Sequence, residues 1–103
     1  MLHVTFRRVV DEPRLRAWMS SLEQRTEEVR ETFRQEGVSH EQAFLLRDAD
    51  GLVLVYAHEV SDPKVAQSAY AASSLPIDLQ HRLEMSAALG VEVPAELLYD
   101  VQL

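Results

Sequence analysis

Two runs rich in apolar and β-branched residues, Val38 to Arg47 and Leu52 to Val60, flank Asp48-Ala49-Asp50-Gly51. An Asp-Gly pair between such runs is a strong hairpin signal. Side chains alternate along a strand, so Glu41, Ala43 and Leu45 share one face with Leu54, Tyr56 and His58. Gln42, Phe44 and Leu46 share the other with Val53, Val55 and Ala57. A four-residue loop sets Glu41 directly opposite His58 and a two-residue loop makes them diagonal neighbours; the face assignment is the same. Both faces are largely apolar, so each must be covered by helices, a ligand or another chain.

The first face also gathers Glu41, Tyr56 and His58 among apolar neighbours. Burying a carboxylate there costs several kcal/mol unless it is paired or hydrogen-bonded, which points to His58, Tyr56 or a group across the fold. A half-solvated pair at the strand ends is the plainer reading of Glu41 and His58.

The rest of the chain supplies the cover. Leu2 to Val10 reads as a strand, with Arg8 on the Phe6 side, where it can hold an anion or carboxylate or simply lie along the surface. Asp11-Glu12-Pro13 opens a helix, and Leu15, Trp18, Met19, Leu22, Val29 and Phe33 keep its period until Gly37 ends it. Asp62-Pro63 starts a second helical region, with Val65, Ala69 and Ala72 on its packed side and Tyr70 near it. Pro76 breaks that region, and Ser74 is the expected cap of the new helix, which runs to Gly90. Asp78 and His81 then share a helical face, where a carboxylate can orient an imidazole for proton transfer, or each can be a structural residue. Glu92 to Leu103 is expected to give a last strand, with Pro94 limiting its start to an edge or lead-in.

With 103 residues, 47% of them hydrophobic, residues 1–103 make one domain with a single core. The chain has no cysteine, which removes disulfides and thiol catalysis. Residues 1–36 hold seven Arg against seven Asp or Glu, while residues 37–103 hold three basic and ten acidic residues and so carry the whole net charge of −7. That acidity disfavours nucleic-acid binding. No leader-like start and no membrane-length apolar run is read, so a cytoplasmic protein with no membrane partner is expected.

The order β-α-β-β-α-β, with the second helix broken, is that of the ferredoxin-like split βαβ: an α+β fold with a four-stranded antiparallel sheet. The chain resembles a family of small uncharacterised bacterial proteins of the dimeric α+β barrel superfamily. Trp18-Met19, Glu41, Phe44, Asp50-Gly51, Tyr56, Ser73, Pro76-Ile77-Asp78 and His81-Arg82 carry the resemblance. It implies a homodimer joined through the sheet face, with a site near the Pro-Ile-Asp-x-x-His segment. Leu75 stands where the family often has a histidine, against a two-histidine metal loop.

Two functions follow. One is a homodimeric small-molecule-binding domain or cofactor-independent enzyme with its pocket between the sheet and the second helix. His81, Asp78 and Glu41 would be its catalytic groups, and Tyr56, His58 and Arg8 its ligand-binding groups. The other is a non-catalytic dimeric structural or interaction module. No metal or other cofactor is expected, since His58, His81 and Glu41 lack paired ligand spacing.

Overall fold

The computed structural model describes residues 1–103. The hairpin forms as Val38–Asp48 (β2) and Gly51–Val60 (β3), joined by a turn at Ala49-Asp50. Asp48 pairs with Gly51 and Arg47 with Leu52, so the two turn residues are Ala49-Asp50 rather than Asp50-Gly51, and Glu41 falls directly opposite His58 even with a two-residue loop. Gly51 sits at φ 128°, a conformation that a residue with a Cβ rarely adopts. Leu2–Val9 (β1) joins the other edge of β3, and its Arg8 falls opposite Val53.

Asp11 accepts the Arg14 amide at 3.1 Å and opens Glu12–Glu23 (α1). The expected single helix is in fact two, α1 and Thr26–Glu36 (α2). No proline or glycine marks the break. Arg25 leaves helical geometry (φ −126°, ψ 39°), and the Thr26 hydroxyl donates to the Glu23 carbonyl at 3.2 Å, a local bond that competes with the helical ladder. Gly37 ends α2 in the left-handed conformation, at φ 76°.

Asp62 caps Pro63–Ala72 (α3) through the amides of Lys64 and Val65. Its packed side is Ala66, Ala69, Tyr70 and Ser73, while Val65 faces outward. Pro76–Ala88 (α4) follows, with Leu75 rather than Ser74 at the cap position; the Ser73 hydroxyl accepts the Leu75 amide instead. Both helical regions are thus broken, and the halves pair crosswise, α1 on α4 and α2 on α3.

The last strand is Leu89–Glu92 (β4), earlier and shorter than the expected Glu92 to Leu103. Val93 still donates to the Phe6 carbonyl at 2.9 Å, but Pro94 has no amide with which to continue, and residues 94–103 carry no regular structure. The Arg7 guanidinium holds β4 by donating twice to the Gly90 carbonyl, at 3.0 and 2.7 Å.

The result is an α+β domain with a four-stranded antiparallel sheet in the order β2-β3-β1-β4 and four helices. The main core, Leu15, Trp18, Leu54, Ile77, Met85, Ala88 and Leu89, lies between the helices and one face of the sheet. A smaller cluster of Val38, Val60 and Ala66, with Phe33 against it, closes the α2–α3 end. No helix is long and apolar enough to cross a membrane. Leu15→Ala is expected to lower the unfolding free energy by about 2–5 kcal/mol in urea titration, whereas Leu83→Ala, on the outer side of α4, should change it by less than about 0.5 kcal/mol.

Candidate functional site

The face of the sheet beneath the helices presents Thr5 and Arg7 from β1, Glu41 from β2, and Tyr56 and His58 from β3. Thr32, Phe33 and Glu36 from α2, Tyr70 from α3, and Asp78 and His81 from α4 face them across a cleft of about 640 Å³. The strand parity and the Pro76 break therefore bring five of the six sequence-predicted side chains to one cavity. Arg8 does not join them. It lies on the opposite side of β1, where its guanidinium donates to both Asp48 oxygens at 2.8 and 2.7 Å. That bidentate bond, helped by the Asp50 amide, holds the Asp48 carboxyl down at about 2.

His81 is oriented by Trp18. The indole Nε1–H donates to His81 Nδ1 at 2.8 Å, so Nδ1 is an acceptor and the neutral ring carries its proton on Nε2. Tyr56 and Tyr70 stand edge-on to the same imidazole, at centroid separations of 6.2 and 5.8 Å. Burial pushes the His81 pKa down to about 4 against the pull of the Asp78 charge, so the ring is neutral at physiological pH.

Asp78 is 2% exposed, and the bond recorded for its carboxylate is to Thr32, not to His81. Three residues along a helix bring it to the same side as His81, yet its carboxylate is turned toward α2. Thr32 Oγ1 lies 2.8 and 2.7 Å from the two Asp78 oxygens and 2.8 Å from Glu36 Oε1. One hydroxyl proton cannot serve three acceptors, so a carboxyl proton must complete the set. Burial raises the Glu36 pKa, and the nearby Asp78 charge adds to this against the Thr32 bond.

The Glu41 carboxyl makes no hydrogen bond, and His58 Nε2 stands 3.7 Å from its Oε2. Burial, reinforced by the charge of Glu36, pushes its pKa up to about 7. His58 Nε2 is itself buried and unpartnered, and burial lowers the pKa of this imidazole. The Tyr56 hydroxyl reaches only the Met19 sulfur, at 3.8 Å, and burial raises its pKa. No three His, Asp or Glu side chains take up an arrangement that could hold a metal ion.

Arg82 holds the break between α3 and α4 in shape. It donates to the carbonyls of Tyr70 and Ser73, the latter at 2.9 Å, and its guanidinium lies 5.4 Å from the Tyr70 ring centre. Trp18, Thr32, Glu36 and Tyr70 were not singled out as site residues from the sequence. Thr32 and Glu36 carried a readable signal, since they occupy polar positions on the helical stripe that also bears Val29 and Phe33.

A family model matches residues 8–102, nearly the whole chain. The chain belongs to DUF6176, a family of unknown function. The DUF6176 match takes in every cleft residue named here except Thr5 and Arg7, which precede it. No curated protein and no solved structure matches the chain.

Two titrations in this DUF6176 cleft oppose each other. A carboxyl whose pKa rises on folding, as in Glu41, stabilises the fold below its unfolded value near 4.5, and the benefit is lost as pH rises through about 7. An imidazole whose pKa falls on folding, as in His81, leaves the fold intact above 6.5 and destabilises it as pH drops toward about 4. The wild-type stability profile should therefore be nearly flat between these limits. Glu41→Gln should remove the neutral-side loss, worth on the order of 3 kcal/mol, and leave stability rising with pH up to the histidine limit, as read by chemical denaturation across the range. Separately, infrared difference spectra should show a protonated-carboxyl carbonyl band that fades as pH rises through about 7 and that Glu41→Gln weakens.

Proposed function

We propose that the cleft is the functional site, and that it binds a small organic molecule or converts one without a cofactor. The observation that carries this reading is that Glu41, Tyr56, His58 and His81 meet around one cavity with hydrogen-bonding capacity unused. Structural polar residues in a finished core are ordinarily satisfied. The unused atoms here all belong to side chains that face a space large enough for a small ligand.

The chemistry available is proton transfer. A Glu41 carboxyl that titrates near neutrality is suited to act as a general base. The neutral His81 ring, with its proton fixed on Nε2, offers a hydrogen-bond donor to a carbonyl or developing oxyanion, and Tyr56 offers a second. Trp18 is a positioning residue: it selects the His81 tautomer.

The strand order β2-β3-β1-β4 and the alternation of strands with helical regions support a ferredoxin-like arrangement. The reading also includes a homodimer joined by the outer sheet face. A folded monomer of this mass exposes about 5,900 Å², and this chain exposes 7143 Å². Val4, Phe44 and Leu46 on the open face and Leu97, Leu98, Tyr99, Val101 and Leu103 beyond Pro94 contribute to the excess. The difference is of the size that one partner of a stable interface covers.

The chain has a single tryptophan, so one indole N–H resonance reports on the His81 bond. Ligands that enter the cleft should shift that resonance in a fragment screen by NMR, and His81→Ala should move it without unfolding the domain. A screen whose hits leave the resonance unmoved would exclude the cleft. For the assembly, light scattering should give twice the chain mass, and Phe44→Glu should return it to the monomer.

A further inference from the structure

The cleft is unevenly charged. Glu36, Glu41 and Asp78 surround the Tyr70 end, and Glu92 lines the same cavity. Arg7 is the lining cation, and both of its recorded bonds are to the Gly90 carbonyl. The two lining imidazoles, His58 and His81, do not compensate, because burial disfavours the charged form of each. Arg82 stands 5.4 Å from the Tyr70 ring centre, but its guanidinium is bonded to the Tyr70 and Ser73 carbonyls, so none of these carboxyl groups is hydrogen-bonded to a cation.

Two geometric facts show the deficit. Thr32 Oγ1 faces three carboxyl oxygens with one proton, and the Glu41 carboxyl, without a hydrogen bond, lies 3.7 Å from the unpartnered His58 Nε2. Burial raises the pKa of Glu36 and of Glu41, which favours protons on these carboxyl groups. The remaining wall is apolar or aromatic: Leu22, Val29, Phe33, Ile77 and Tyr70. Carboxylates beside aromatic rings favour an organic cation, whose charge the rings and carboxylates share and whose hydrocarbon body the apolar wall receives.

We propose that the cleft takes an organic ammonium ligand, with the charged nitrogen among Glu36, Glu41 and Asp78 beside Tyr70. This rests on the cleft being the binding site. The cation then replaces protons held on the carboxyl groups, so binding releases protons to solvent. Anionic ligands, including phosphates and carboxylates, are excluded by the same charges.

The test uses three probes of one carbon skeleton: 2-phenylethylamine, 2-phenylethanol and phenylacetate. Each is titrated into the intact protein by calorimetry in buffers of different ionisation enthalpy, and followed by the Trp18 indole resonance. The amine should bind at least roughly ten-fold tighter than the alcohol, with proton release, and phenylacetate should not bind. Glu41→Gln, an isosteric change, should reduce the amine's preference to about that of the alcohol while alcohol binding persists. Glu36→Gln should reduce proton release on amine binding. Binding of the alcohol or acid as tightly as the amine would overturn the ammonium inference and leave the cleft as a binding site. Failure of all three probes to bind at millimolar concentration would remove both.

Discussion

The hydrogen bond from the Trp18 indole to His81 Nδ1 joins the two helical layers above the sheet. The 7% exposed indole and the half-buried imidazole meet where α1 crosses α4, and the main core packs around the same crossing. A buried N–H needs an acceptor, and a buried imidazole must settle its proton. One bond answers both needs. It ties α1 to α4, and the ring that it orients stands edge-on to Tyr56 of β3.

Much of this arrangement was legible in the sequence because local chemistry decided it. The β2–β3 hairpin, the Asp11 and Asp62 caps and the Gly37 stop are each set by residues within a few positions and each stands in the structure, although the turn itself is Ala49-Asp50, with Gly51 already in β3. Strand alternation likewise placed Glu41, Tyr56 and His58 on one face. The misses were decided at long range. The break at Arg25 has no proline or glycine to announce it, and α1 and α2 are separated by packing onto different partners. Asp78 was assigned to His81 because they are three apart on one helix, but Thr32, 46 residues away, is its recorded partner. The Leu97 to Leu103 alternation suggested a strand, yet the sheet edge that it would need ends at Val93.

Polar groups of the domain differ in how completely they are used. Arg8, Arg14 and Arg82 have well-made partners and serve the fold. Glu41, His58 and Tyr56 do not, and their unused atoms cluster on the sheet side of one cavity. A fold that satisfies its helix caps and its hairpin end but leaves these three side chains short of partners has concentrated its cost in one place.

The placement of β1 has a kinetic consequence. This first strand lies inside the sheet, between β3 and β4, so its two edges are completed by segments made much later. Leu2 pairs with Glu59, and Val9 pairs with Leu89. During synthesis the β2–β3 hairpin can close on local contacts, while the second edge of β1 waits for nearly the whole chain to leave the ribosome. Closing loops of that length before the pairing repays them makes docking of the first strand a late event. Until then the backbone N–H and C=O groups along β1 remain open to solvent and to other nascent chains.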